Sequence, residues 1–201
     1  MSVSIKVAIR CRPFTCEDTL GVQLLQTGES TGEVILLNSK YSTNRFGFTW
    51  AWWSAHNGKK YAKGNDAGPA IADMKFMGQQ DVYESCGLQI KKDLLEGNAV
   101  VLFAYGLSGS GKTFTVFGPD DPATDVAWFK HSKPFEMWGI FPYLAFEVFQ
   151  EMKDGWKISM KYFQNVVSIV RDLQSPVCEE KTYKAGMRKD KDGFMDVTVS
   201  L

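Results

Sequence analysis

The 201 residues suffice for one domain with a substantial core, and two full domains are not expected. An apolar content of 44% and an aromatic content of 13% exclude a disordered chain. The 23 basic and 23 acidic side chains cancel, so no global charge directs the chain to nucleic acid or to an anionic membrane.

Elements follow in chain order. "SIKVAIRC" (4–11) alternates Ile5, Val7 and Ile9 with polar neighbours and predicts a strand. "EVILLNS" (33–39) and "RFGFTWAWW" (45–53) predict two more, and alternation puts Trp50 and Trp52 on one face and Trp53 on the other. Core packing is the expected role of these tryptophans. The Gly-, Lys- and Asn-rich stretch 54–70 reads as a loop. In "QQDVYESCGLQIKKDLLEG" (79–97), Val82, Cys86, Ile90 and Leu94 fall on one stripe, and Gly97 can cap a helix. "AVVLFAY" (99–105) predicts a buried strand. "KTFTVFG" starts a helix that the prolines of 119–138 interrupt and "IFPYLAFEVFQEM" resumes. "WKISMKYFQNVVSIVRDL" (156–173) is strand-like, and "YKAGMRKDKDGFMDVTV" predicts a hairpin turning at Asp192-Gly193. Strands alternating with helices give an α/β class. Cys11, Cys16, Cys86 and Cys178 form no CxxC pair, which suits a reducing cytosol, and no apolar run reaches the length of a membrane span. A soluble cytoplasmic protein without membrane insertion is expected.

Gly106, Leu107, Ser108, Gly109, Ser110, Gly111, Lys112 and Thr113 satisfy G-x-x-x-x-G-K-[ST]. Glycines let the backbone wrap phosphate with its N–H groups turned inward, at the start of a helix whose dipole favours anions. Lys112 would reach the β- and γ-phosphates of ATP or ADP, and the Thr113 hydroxyl would ligate Mg²⁺. His56 and His131 lie in loops without ligand-spaced neighbours, so no metal beyond nucleotide-bound Mg²⁺ is expected.

"LFAYGLSGSGKTFTV" resembles the "VFAYGQTGSGKTYTM" of kinesin motor domains well beyond the general phosphate-loop pattern. "IKVAIRCRPF" is similar to the first kinesin strand with its RxRP signature. "GQQDVYE" resembles "TQ-x-x-VY", "GIFPYLAFEVF" resembles "GIIPRxxxxLF", and "KISMKYFQNVVSIVRDL" follows "VSYxEIYNExVRDLL". The matches fall in family order. The resemblance implies a P-loop NTPase-type central sheet flanked by helices, of which this chain carries the N-terminal half over 1–201. It also implies that Arg10, Arg12, Pro13 and Phe114 frame the adenine. Leu107 stands where the family has Gln and Tyr143 where it has Arg, and 54–78 and 119–138 read as expanded loops.

The family's γ-phosphate-sensing motifs, switch I "NxxSSRSH" and switch II "DLAGSE", do not occur in the chain. No catalytic residue is therefore assigned within it. Asp172 of "VVSIVRD" looks like a Walker B carboxylate but lies in the "VRDLL" frame, and "DKDG" (190–193) reads as a turn. The basic "KAGMRKDKDG" lies where the family's loop 8 region approaches tubulin, yet its interleaved aspartates suit a solvated face. The expected function is ATP binding and, in a complete protein, microtubule-stimulated hydrolysis driving movement along the cytoskeleton. The alternative is a non-motor adaptor or scaffold built from a kinesin half-domain. In either case another polypeptide or a missing C-terminal half is expected to complete the sheet. A small P-loop kinase explains neither the RxRP strand nor the "DVYE" helix.

Overall fold

The structure, a computed structural model, describes residues 5–13, 22–28, 31–37, 43–55, 75–158, 162–166, 169–172, 184–189 and 195–200. It comprises two units, Met1–Met152 and Lys153–Leu201.

Strand alternation sets the core of the first unit. Strand β1 (Ala8–Cys11) runs parallel to the strand Trp50–Trp53, with Ala8 opposite Trp50 and Arg10 opposite Trp52. The pairing extends past both ends: Thr49 N–H donates to the Val7 carbonyl at 2.8 Å and Ser54 N–H to that of Cys11 at 3.1 Å. Trp50 and Trp52 enter one core with Val82, Cys86, Trp138 and Ile140, while Ala51 and Trp53 enter another with Val34 and Ala55. The predicted division of the tryptophans holds. Each such burial stabilises by about 2–3 kcal/mol. The Trp52 indole N–H is buried without an acceptor among the described residues, a cost of about 1–3 kcal/mol.

On the Trp53 side, β2 (Val22–Gly28), β3 (Thr31–Leu37) and β4 (Thr43–Phe48) form an antiparallel sheet in that order. The single strand expected over 45–53 is thus two, parted by a bend at Thr49. β4 stays with β3, and Trp50–Trp53, now β5, turns to β1.

On the Trp52 side lies the helix expected over 79–97. It consists of α1 (Gln79–Val82), a π-helical segment (Tyr83–Gly87) and α2 (Leu88–Leu95). Gly97 follows at φ +85°. Val82 and Cys86 are buried and Ile90 is half-buried, but Leu94 is exposed, so the stripe serves the core only in its first part. The Tyr83 ring lies over Gly87 where a Cβ would stand, which accounts for glycine at the widened turn. α4 (Ile140–Glu151) packs alongside. Tyr143 stacks on Tyr83 with centroids 4.9 Å apart. The Tyr83 hydroxyl donates to Glu147 Oε2 at 2.9 Å, and Lys91 Nζ meets Glu147 and Glu151, each at 2.9 Å.

"AVVLFAY" departs from expectation. Ala99–Tyr105 is neither a strand nor paired among the described residues, and Val101, Phe103 and Tyr105 are 89%, 80% and 91% exposed. Backbone N–H and C=O groups define a strand only where a neighbouring edge receives them. No described strand offers this segment an edge.

In the second unit, β6 (Phe163–Val166) pairs antiparallel with β7 (Ile169–Asp172), placing Asp172 opposite Phe163. The strand-like reading of 156–173 therefore resolves into two antiparallel strands. β8 (Lys184–Lys189) pairs antiparallel with β9 (Met195–Ser200), as a hairpin requires, while the Asp192-Gly193 turn lies outside the described residues.

Burial pushes the Cys86 thiol from its ordinary 9.0 up to about 12. Between those values the folded chain keeps a proton that the unfolded chain has lost, so stability present below pH 9 is lost as pH rises toward 12. We expect Cys86→Ala to remove up to about 1.4 kcal/mol per pH unit from this slope, measured by urea unfolding between pH 8.5 and about 10.5. A slope identical to wild type would contradict it.

Candidate functional site

Arg10 is the second residue inward from the end of β1, on the same strand face as Ala8, and so points toward the helices rather than the β2–β3–β4 sheet. Its Nε donates to Ser54 Oγ at 2.8 Å. Nη1 donates to Gln79 Oε1 at 2.6 Å and to Thr115 Oγ1 at 3.0 Å. The guanidinium carbon stands 5.5 Å from the centroid of the Phe114 ring. All these hydrogen-bond partners are neutral. Burial pulls the group down to about 10, which leaves it cationic at neutral pH.

Gln79 opens α1 and is 4% exposed. While its Oε1 accepts from Arg10, its Nε2 donates to the Phe114 carbonyl at 2.5 Å and to that of Met137 at 3.4 Å. Ser54 Oγ in turn donates to the Met77 carbonyl at 2.6 Å. Three separate segments are thereby tied to one arginine.

The glycine loop runs into α3 (Lys112–Val116). Gly106, Gly109 and Gly111 have φ of +156°, +73° and +91°, values that side chains with a Cβ rarely adopt. A Cβ at Gly106 would also overlap the Ser110 hydroxyl. Lys112 Nζ folds back to the loop, donating to the Gly106 carbonyl at 2.9 Å and to the Leu107 carbonyl at 2.8 Å. Leu107, Ser108 and Thr113 are exposed.

Beside the loop is a shallow hollow, open to solvent, lined by Arg10, Arg12, Pro13, Ser54, Ser110, Gly111, Phe114 and Thr115. Six of the residues singled out in the sequence thus meet around one space. Arg12 is exposed at its rim, with Nη1 3.3 Å from the Pro13 carbonyl. Gly106, Leu107, Ser108, Gly109, Lys112 and Thr113 belong to the adjoining loop and helix start rather than to the lining. A flat apolar space flanked by a guanidinium, a phenyl ring and a proline ring suits an aromatic group, and the glycine loop next to it suits an anion.

Sequence reading missed Ser54, Gln79 and Thr115. Gln79 lies within "GQQDVYE", where the sequence marks it only as a helical position. Ser54 stood at the edge of a presumed loop, and Thr115 had no signal beyond following the motif.

The excursion 119–138 leaves and returns without opening the site. Gly139 N–H donates to the Phe117 carbonyl at 2.9 Å, so α4 begins where α3 stops. Within the excursion Trp128 N–H donates to the Pro119 carbonyl at 2.8 Å, the Trp138 indole donates to the Trp128 carbonyl at 3.0 Å, and Trp128 stacks on Phe117. His131 stacks on Phe135, its Nε2 2.8 Å from the Asp125 carbonyl. Among the described residues no three His, Cys, Asp or Glu side chains gather as a metal cluster.

Comparison with known proteins bears on this arrangement. The kinesin motor domain family profile matches residues 27–199. Kinesin-like protein KIF1C of Homo sapiens is 28% identical over 183 residues, covering 86% of this chain and 14% of that protein. Kinesin-like protein unc-104 of Caenorhabditis elegans is 28% identical over 181 residues, covering 86% of this chain and 10% of that protein. Among solved structures, the motor domain of Kar3 from Saccharomyces cerevisiae superposes with a TM-score of 0.62 at 19% identity, covering 98% of this chain and 52% of that one. The Kar3-like motor domain from Ashbya gossypii gives 0.61 at 17% identity, covering 96% and 51%. The chain thus spans about half of these solved motor domains and a small part of the curated relatives.

Arg10→Lys keeps the charge but loses the planar fork that reaches Ser54, Gln79 and Thr115 together. It is expected to cost about 1–3 kcal/mol of stability by urea unfolding followed through tryptophan fluorescence. An unchanged midpoint would show that the three bonds do not hold the unit together.

Proposed function

Because the chain belongs to the kinesin motor domain family, we propose that its glycine loop and the adjoining hollow bind ATP or ADP with Mg²⁺, as part of a microtubule-stimulated motor. The observation that carries this is the convergence of Arg10, Arg12, Pro13 and Phe114 on one hollow beside the phosphate-loop residues Ser110 and Gly111.

The residues fit the group. Positive φ at three loop glycines, with no room for a Cβ at Gly106, gives a backbone turn of the kind that closes on phosphate. Lys112 Nζ, held now by the Gly106 and Leu107 carbonyls, sits on the loop it would serve and needs only to exchange those acceptors for β- and γ-phosphate oxygens. The exposed Thr113 hydroxyl would hold Mg²⁺, which when bound neutralises phosphate charge and orients the terminal phosphoryl group. Phe114 and Pro13 supply faces for the base, and Arg12 covers it from the rim. Arg10 serves from beneath, its hydrogen bonds spent on Ser54, Gln79 and Thr115.

Hydrolysis requires groups that position water and answer the γ-phosphate. The switch motifs that do so in the family are not in this sequence. The exposed Val101, Phe103 and Tyr105 belong under a further stretch of polypeptide that pairs with 99–105 and carries those motifs. In that complete assembly the site acts in a cytoskeletal motor whose track is the microtubule. The absence of both switch motifs from these residues is also what favours the second reading, an adaptor or scaffold that binds nucleotide without cleaving it.

Isothermal titration with Mg-ADP should show Lys112→Ala binding about 10–100-fold more weakly than wild type, the effect of losing a charged hydrogen-bond donor. Equal affinities would remove the loop from nucleotide binding. Catalysis has its own test. The 201-residue chain should release phosphate from ATP no faster than Lys112→Ala does, with or without microtubules. Microtubule-stimulated turnover that Lys112→Ala abolishes would place the missing catalytic groups inside these residues.

A further inference from the structure

We infer that Gln79 is a positioning residue of the nucleotide site: its single amide couples Arg10, a wall of the hollow, to the helix that follows the phosphate loop, so that it governs how firmly a base is held and not how firmly phosphate is held. The inference rests on the nucleotide reading above and extends it to a residue outside the loop and the RxRP strand.

Three observations carry it. First, Gln79 is 4% exposed, yet both ends of its amide are engaged: Oε1 with Arg10 at 2.6 Å and Nε2 with the Phe114 carbonyl at 2.5 Å. A buried amide satisfied at both ends has one orientation, because a flip would set donor against donor and acceptor against acceptor. Second, the groups it joins come from different elements. Arg10 projects from β1, and Phe114 follows Thr113 in α3 directly after the loop. Third, Arg10 and Phe114 are both walls of the hollow and face each other as cation and ring at 5.5 Å. In contact with each other they form one wall of the hollow, so a shift of either reshapes the side against which a base would rest. Thr115 closes the same circuit: its Oγ1 accepts from Arg10 and donates to the Gly111 carbonyl at 2.8 Å.

No other side chain replaces this amide. Glutamate can accept from Arg10 but cannot donate to the Phe114 carbonyl, and methionine of similar length does neither. Lys112, by contrast, has its described bonds within the loop, to Gly106 and Leu107. Damage at Gln79 should therefore leave the anion cradle largely intact.

The test compares two probes on the full chain with Mg²⁺ present: ATP, and inorganic tripolyphosphate, which has the phosphates without the base. Isothermal titration gives the affinity ratio of the two for wild type, Gln79→Met, Gln79→Glu, Thr115→Val and Thr115→Ser. We expect Gln79→Met, Gln79→Glu and Thr115→Val to lower ATP affinity about tenfold and tripolyphosphate affinity less than about twofold, the size expected from losing one or two buried hydrogen bonds. Thr115→Ser, which retains the hydroxyl, should keep the wild-type ratio. Should Gln79→Met and Gln79→Glu fail to fold, Gln79→Asn, whose shorter amide cannot span Arg10 and the Phe114 carbonyl together, decides by the same ratio. A ratio unchanged in every variant, or equal weakening of both probes, would overturn the positioning role while leaving nucleotide binding in place. A wild-type chain that binds neither probe would overturn the nucleotide reading, and this inference with it.

Discussion

A half-buried guanidinium without a carboxylate among its described partners constrains this unit more than any other single group. Moving a charge out of water is costly unless oriented dipoles replace the water. Arg10 meets the requirement with the Ser54 hydroxyl, the Gln79 amide and the Thr115 hydroxyl, together with the face of Phe114. These four groups lie on three segments, Phe114 and Thr115 sharing α3, so satisfying one charge fixes β1, the end of β5, the start of α1 and α3 against one another. The apolar core supplies most of the stabilisation through Trp50, Trp52, Val82 and Cys86. Such packing tolerates small slips in register, whereas a fork of directed bonds does not.

The same cluster links fold to chemistry. Arg10 and Phe114, in cation–π contact, wall one part of the hollow, and Arg12 and Pro13 wall another where the chain continues beyond β1. The glycine loop reaches the hollow because α3 is anchored through Thr115 and through the Phe114 carbonyl. Across the unit, the stacked Tyr83 and Tyr143 and the Lys91 contacts to Glu147 and Glu151 hold the π-containing helix to α4. Glu147 accepts the Tyr83 hydroxyl, and burial, reinforced by this bond, raises the tyrosine's pKa and keeps it a neutral donor. The excursion between Gly118 and Gly139 rejoins the unit through the backbone bond from Gly139 to Phe117, the Met137 carbonyl on Gln79 and the Trp138 ring in the core.

Much of this was legible in the sequence. Alternation divided the tryptophans correctly, helical periodicity found 79–95 and 140–151, and the motif placed the loop glycines. What escaped was decided by contacts distant in sequence. The bend at Thr49 depends on β5 leaving β4 for a partner some forty residues earlier. "AVVLFAY" carries every local mark of a buried strand, but a strand also needs an edge to pair with, and local propensity cannot report one. Nothing local announces that Arg10, a wall of the hollow, is held there by Gln79 and Thr115, partners 69 and 105 residues away.

The central claim is that this arginine-centred cluster is already formed before nucleotide arrives and that only the loop lysine rearranges. A crystal structure of the chain with Mg-ADP tests it most directly. The account predicts the base between Phe114 and Pro13, Lys112 Nζ moved from the Gly106 and Leu107 carbonyls to phosphate, and the Arg10 bonds to Ser54, Gln79 and Thr115 retained. Nucleotide bound elsewhere, or Arg10 released from those three partners to meet it, would contradict the account.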